Sequence, residues 1–198
     1  MCNLSQLYEQ RRSIYQIEKS DDVFEEDIVA LVQNCVKYCP SAFNCQAGRA
    51  VVLFNQYNQN FWNLVLQKLK QIVPAENFAK TKEKVSAFQN GIGTILFFED
   101  NDVIEKMQKQ FDLYKQNFPM WSQQSSGMMQ YMIWLALAEK KLGATVQHYN
   151  ELIEQDIKNE LKLPQSWKII CQMPFGKIGA PAQDKTFEDI NKRVIVLE

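Results

Sequence analysis

Five polar groups hold the side chains of this sequence that could do chemistry, and each stands at the end of an apolar or helical run. Arg11, Arg12 and Ser13 close an opening helix read over Leu4 to Arg12. Ser41, Asn44 and Gln46 sit in PSAFNCQAG (40–48), a polar, turn-forming loop between a helix and a strand. Gln147, His148 and Asn150 follow the most apolar helix. Phe175, Gly176 and Lys177 follow a strand, and Lys192 and Arg193 begin the last one. Taken singly, each group reads as surface charge, turn chemistry or helix capping. A phosphorylated ring cofactor would use them together. Arginine makes bidentate contacts to phosphate, amide side chains meet ring carbonyls and nitrogens, and apolar strands face a flat ring.

Other chemistries lack their parts. A metal site needs a cluster of His, Cys, Asp or Glu at fixed spacing, and the chain has one His, His148. The cysteines at 2, 35, 39, 45 and 171 are an odd set without a CxxC pair, which reads as reduced thiols in a cytosolic protein. There is no G-x-S-x-G, Walker or dinucleotide fingerprint. With 22 Lys and Arg against 23 Asp and Glu, the formal charge is -1, so no basic excess gathers nucleic acid. The amphipathic N-terminus, MCNLSQLYEQRRS, does not read as a secretory signal. The most apolar stretch, Met128 to Ala138, is about half of what a bilayer requires. A cytoplasmic protein without membrane or nucleic-acid partners is expected.

Those groups must be positioned by a single domain spanning 1–198, since 198 residues with 46% hydrophobic content suffice for one sizeable core. Apolar periodicity predicts helices over Glu25 to Tyr38, Phe61 to Val73, Glu76 to Gln89, Asp102 to Gln116, Ser122 to Lys141 and 151–160. Pro119 is read as the break after the fourth of these. The Ser122 helix is apolar nearly all round, the pattern of an element buried against several neighbours. Its Met128, Met129, Met132 and Trp134 read as core or dimer packing. Continuous apolar runs predict buried strands at Arg49 to Asn55, Thr94 to Glu99 and Trp167 to Met173, with a final strand at Arg193 to Leu197. Loops are read at Ala144 to Tyr149, and a Gly- and Pro-rich turn at 174–181. Strands separated by multi-helix connections indicate an α+β or α/β sandwich. The last strand has no covering helix and is an edge, or reaches a partner chain.

Several stretches resemble the FMN-dependent nitroreductase family. They are RRSIY (11–15), PSAFNCQAGRAVVL (40–53), W-x-x-Q-S-S-G-M-M-Q-Y (121–131), LGATVQHYN (142–150) and QMPFG (172–176), in family order over nearly the whole chain. Within the family they are similar to the small branch of fatty-acid-repression mutant proteins and hydroperoxide- or nitroreductase-like relatives. The resemblance implies an α+β fold with a central, mostly antiparallel sheet surrounded by helices. It also implies a homodimer that exchanges its C-terminal strand and binds two FMN at the interface. It marks Arg11 and Ser13, with Arg12 nearby, as phosphate and ribityl ligands. Ser41, Phe43, Asn44 and Gln46 become the loop against the isoalloxazine. Gln147 and His148 lie at one ring edge, Phe175 and Gly176 beside flavin N5, and Arg193 with Lys192 at the phosphate.

The implied activity is reduction of a small aromatic acceptor, a nitroarene or quinone, by hydride from NADH or NADPH in a ping-pong cycle. The cofactor carries the hard chemistry, so no catalytic carboxylate or triad is required; Asn44, Gln46 and Phe175 are expected to position the reactants. Two departures matter. Phe175-Gly176 stands where the wider superfamily often has Glu-Gly, and Cys45 replaces a Ser. A redox role for Cys45 is possible beside a flavin, but the favoured reading is a small buried residue. The alternatives are an FMN-binding redox or lipid-response regulator with incidental turnover, a cofactor-free dimeric interaction module, and another flavin reaction on the same scaffold.

Overall fold

The run TILFFE is buried along its length in the strand Gly93–Asp100 because both of its faces are covered. Ile95 and Phe97 point into one core with Ile28, Val32, Met129, Ile133 and Leu137. Leu96 and Phe98 point into another with Phe61, Trp62, Val65, Phe88 and Ile153. Side chains alternate between the faces of a strand, so an unbroken apolar run needs a layer on each side. Each such fully buried side chain contributes about 1.5–3 kcal/mol.

The computed structural model describes residues 3–197, so Cys2 lies outside the described residues. In chain order the elements are α1 (Leu4–Gln10), β1 (Ile17–Glu18), α2 (Glu25–Tyr38), β2 (Gly48–Phe54), α3 (Asn55–Ile72), α4 (Ala75–Gln89), β3 (Gly93–Asp100), α5 (Asn101–Gln110), α6 (Phe118–Glu139), β4 (Leu142–Ala144), α7 (Asn150–Glu160) and β5 (Trp167–Ile178). Short 3-10 turns occupy Ala42–Asn44, Asp112–Tyr114 and Ile190–Lys192. The sheet order is β1-β5-β3-β2, with β4 also on β5, and all of these pairs are antiparallel. α2 and α6 supply the first core and α3, α4 and α7 the second. The expected α+β architecture, a mostly antiparallel sheet with helices around it, is the one observed.

Several expectations are corrected. The strand read over Trp167 to Met173 continues to Ile178, through the supposed turn at 174. Pro174 sits opposite Thr94 and its carbonyl accepts from the Thr145 amide, while Gly176 lets β1 pass. A Cβ at Gly176 would stand 2.5 Å from the Glu18 carbonyl oxygen. Part of the loop read from Ala144 is paired: Ala144 ends β4, and Gln147 bridges Gln172. Pro119 opens α6 rather than breaking the helix before it, as suits a proline in the first turn. That earlier helix stops at Gln110. α3 begins six residues before Phe61, directly after β2.

The final strand, read as an edge of this chain's own sheet, is also corrected. Within this chain, Arg193 to Leu197 is not in a sheet, and Ile195, Val196 and Leu197 are 79%, 74% and 92% exposed. β-prone side chains alone do not make a strand; a ladder needs a partner edge. α6 is likewise buried on one stripe only: Phe118, Ser122, Ser126, Met129, Ile133 and Leu137. Met120, Met128 and Tyr131 on its other side are exposed. Of the four residues read as packing, Met129 is core, Met132 and Trp134 are half-buried and Met128 is exposed.

Candidate functional site

The N-terminal arm builds the first cluster. Asn3 caps α1 in a reciprocal box with Gln6, and the Arg11 amide closes the helix on the Leu7 oxygen at 2.9 Å. Beyond it the chain is extended. Ile14 is buried and its amide donates to the Ala144 oxygen at 3.0 Å, pinning the arm to β4. Gly143 makes this close approach possible, since a Cβ there would meet Ile14 at 2.8 Å. Arg11, Arg12, Ser13 and Tyr15 thereby line one side of a cavity of about 630 Å³. The segment after β5 lines the other, with Gln183 and Lys185.

The two arginines differ. Arg12 donates to the Gln183 backbone oxygen and ties that segment across the cavity. Arg11 lays its guanidinium over the Trp134 ring, 4.3 Å from the centroid. Its Nε is buried and has no hydrogen-bond partner. Burying a donor unpaired costs about 1–3 kcal/mol, and the cost disappears when a ligand oxygen reaches it. With Lys185 and Arg12 on the same walls and the Ser13 hydroxyl beside them, the residues fit the phosphate end of a nucleotide-like group. Lys185 escaped the sequence reading. Its signal was a lone cation in the polar run GAPAQDK that follows β5. Lys192 and Arg193 lie further on, at an exposed turn outside this cavity.

The loop between α2 and β2 forms the second cluster. Phe43, Asn44 and Gln46 all have left-handed backbone, with φ of 53°, 51° and 53°. For Phe and Gln this costs on the order of 1 kcal/mol or more each. The loop is held by its own bonds: the Gln46 amide donates to Ser41 Oγ at 3.0 Å, and the Asn44 amide to the Ser41 oxygen at 2.9 Å. Arg49 donates to the Gln46 oxygen at 2.6 Å and pairs with Asp100 at 2.9 Å. The Phe43 ring, half exposed, packs at 4.6 Å from Phe111 and 5.6 Å from both Tyr114 and Phe118, with Trp121 at 6.1 Å. Cys45 packs at the edge of the small core of Ala47, Ile104, Met107 and Phe118. Ser41 and Gln46 line a separate recess of about 160 Å³ with Cys39, Arg49, Ser125 and Met129.

Of the remaining expected residues, Gln147, Asn150, Phe175 and Gly176 serve the frame, around a Gln172 that the sequence reading did not single out. Gln172 is fully buried: its Oε1 accepts from the Tyr149 amide at 2.8 Å and its Nε2 donates to Asn150 Oδ1 at 2.6 Å. Gln147 turns its amide inward, donating to Thr145 Oγ1 and the Val146 oxygen. His148 is exposed. Phe175 is fully buried with its ring edge-on to Phe54 at 6.2 Å, so what it presents beyond the core is backbone. Gly176 is filled by β1 rather than open to a ligand.

Glu99 is a second residue the sequence reading passed over. It follows Ile95 and Phe97 on the inward face of β3, and alternation alone puts it there. It is 3% exposed, and its Oε1 has no hydrogen-bond partner. Burial pushes its carboxyl above the ordinary value, against the pull of a hydrogen bond from Ser122 and the charge of Lys168. Burial likewise pushes up the thiols of Cys35, Cys39 and Cys171, which makes them poor nucleophiles.

In one chain, therefore, the Arg11–Ser13 cavity and the Ser41–Gln46 recess share no lining residue. Comparison with known proteins adds what one chain does not show. The profile of the nitroreductase family matches residues 8–177. The Saccharomyces cerevisiae proteins HBN1 and FRM2, the second named a nitroreductase, are 34% and 30% identical, each over 89% of both chains. The nitroreductase CinD of Lactococcus lactis, solved with chloramphenicol, is 40% identical, with a TM-score of 0.90 over 99% of this chain and 100% of that one. CinD is also solved with 4-nitrophenol and with nicotinic acid.

Proposed function

Because the chain belongs to the FMN-dependent nitroreductase family, we propose that it binds FMN by the Arg11–Ser13 cavity and reduces nitroaromatics or quinones with NADH or NADPH in a ping-pong cycle. One observation carries the cofactor's placement: Arg11, whose Nε is buried and unpartnered, lines a cavity together with Arg12 and Lys185. Buried donors in folded proteins are nearly always satisfied. The 4-nitrophenol and chloramphenicol complexes of CinD support a nitroaromatic acceptor here, and its nicotinic acid complex supports a nicotinamide donor.

When bound, FMN supplies the two-electron carrier between donor and acceptor. The chain supplies binding, orientation and dryness. Arg11 and Lys185 would neutralise the phosphate, and the Ser13 hydroxyl would donate a hydrogen bond to one of its oxygens. Asn44 and Gln46 orient the ring from a loop whose strained backbone leaves it little freedom to rearrange. Phe43 and its aromatic neighbours form an apolar wall that keeps water from the acceptor.

The working unit in this reading is a homodimer. Its support is that three apolar surfaces of one chain lack cover: the outer side of α6, the open edge of β2 and the run Val194–Leu197. An open strand edge and an unpaired β-prone run are complementary. A second copy that paired them would also bring the two separated clusters toward each other.

The test is an anaerobic absorbance spectrum of the purified protein, then NADH or NADPH, then 4-nitrophenol or a quinone. A flavin band that bleaches with donor and returns with acceptor supports the reductase. Bleaching without return points to a sensor, and a protein that neither carries nor takes up FMN overturns the proposal.

A further inference from the structure

A guanidinium is planar, with five N–H donors in its plane and two faces that accept none. A side chain stacked by its face keeps all its donors. The Arg11 guanidinium carbon lies over the Trp134 ring, 4.3 Å from its centroid, within reach of such a face contact, whereas Arg12 has given a donor to Gln183. Trp134 is well placed to hold a partner still, because its helix neighbours Ile133 and Leu137 are fully buried. Behind Arg11 lies a cavity of about 350 Å³ lined by Trp134 with Arg12 and Lys141, three cations and no carboxylate counting Arg11 itself. Such crowding of like charges would drive a free Arg11 outward, and the negative face of the indole offsets it.

We propose that Trp134 is a positioning residue for the cofactor's anionic end: its ring fixes the Arg11 guanidinium so that the buried Nε–H donates to phosphate. This deepens, and rests on, the reading of the Arg11–Ser13 cavity as the FMN site. Phenylalanine at 134 keeps a face for the cation and methionine fills the space without one, so the two variants separate stacking from packing.

The experiment uses the full chain as wild type, W134F, W134M and R11K. FMN affinity is titrated by flavin fluorescence. In parallel, ¹⁵N spectra of the arginine Nε–H groups are followed while inorganic phosphate is added. The chain has four arginines, Arg11, Arg12, Arg49 and Arg193, and R11K identifies the Arg11 signal by its loss. We expect that signal to be shifted by the indole ring current in the wild type and to move with phosphate. W134M should weaken FMN about tenfold and W134F less than threefold, at unchanged oligomeric state. Wild-type affinity in W134M, or an Arg11 signal at the same position in both, overturns the positioning role while FMN binding stands. A wild type that binds neither FMN nor phosphate overturns the cofactor reading itself and the inference with it.

Discussion

The Arg12 guanidinium donates to the backbone oxygen of Gln183, 171 positions downstream, and so joins the N-terminal arm to the segment that follows β5. This bond closes the largest cavity of the candidate site and brings Lys185 to its wall. The surface run after Ile178 has few other attachments; the Gly179 amide donates to Gln16 and little else of it is buried.

Removing the tie should therefore loosen the segment without unfolding the domain. We expect R12Q to speed proteolytic cleavage between 180 and 190 and to weaken FMN several-fold. The melting temperature should stay near that of the wild type, since exposed pairs contribute about 0–1 kcal/mol. Limited proteolysis with mass spectrometry and an FMN titration check both.

Glu99 predicts a pH dependence. In the unfolded chain its carboxyl titrates near the ordinary 4.5, and in the folded chain burial holds the proton to higher pH. Between those values the native state binds more protons than the unfolded one, so stability falls as pH rises through the folded value. E99Q keeps the shape without the charge. It should be more stable than the wild type at neutral pH and should lose this part of the pH slope. Urea melts at pH 4 to 8 would show it, and parallel curves for the two proteins would contradict it.

The amide network beneath β5 predicts a large loss. Q172L leaves the half-buried Tyr149 amide and Asn150 Oδ1 without these partners. Because both groups are half-buried, each loss falls toward the lower end of about 1–3 kcal/mol, and the expected destabilisation is roughly 2–4 kcal/mol by denaturant titration.

Strain in the Ser41–Gln46 loop predicts a trade. Q46G suits a φ of 53° and should raise stability by up to about 1 kcal/mol, the relief exceeding the entropy of glycine. The same change removes the side-chain bond from Gln46 to the Asn44 oxygen and frees the loop, so turnover with 4-nitrophenol should fall. Thermal melts and steady-state rates on one preparation decide it.

What the sequence made legible follows from how local each cause is. TILFFE and AVVLF read as buried strands because their apolar runs are continuous; both strands are there, but only β3 is buried along its length, whereas β2 ends the sheet and buries Leu53 alone. RRS and PSAFNCQ stand out as polar punctuation at element ends, and each lies on a cavity wall. The continuation of β5 through Pro174 and Gly176 was hidden because its cause is a neighbour: β1 needs the bare glycine, and that demand comes from residues 17 and 18. Lys185 was hidden for a similar reason, since the bond from Arg12 to Gln183, two residues before it, ties its segment across the cavity. The run VIVL was legible as strand-forming, yet it finds no edge in its own chain.

β5 is bordered by segments from three parts of the sequence: β1 before residue 20, β3 near 95, and β4 with the Gln147 bridge near 145. It is also the last of the described strands to be synthesised. Until residue 178 has left the ribosome, β3 has only β2 beside it and its other edge is bare. The nascent chain must carry that open, apolar edge from the emergence of β3 until β5 follows it, and the sheet can close only then. Folding of this domain thereby waits on β5, and chaperone demand should peak in the interval between emergence of β3 and insertion of β5.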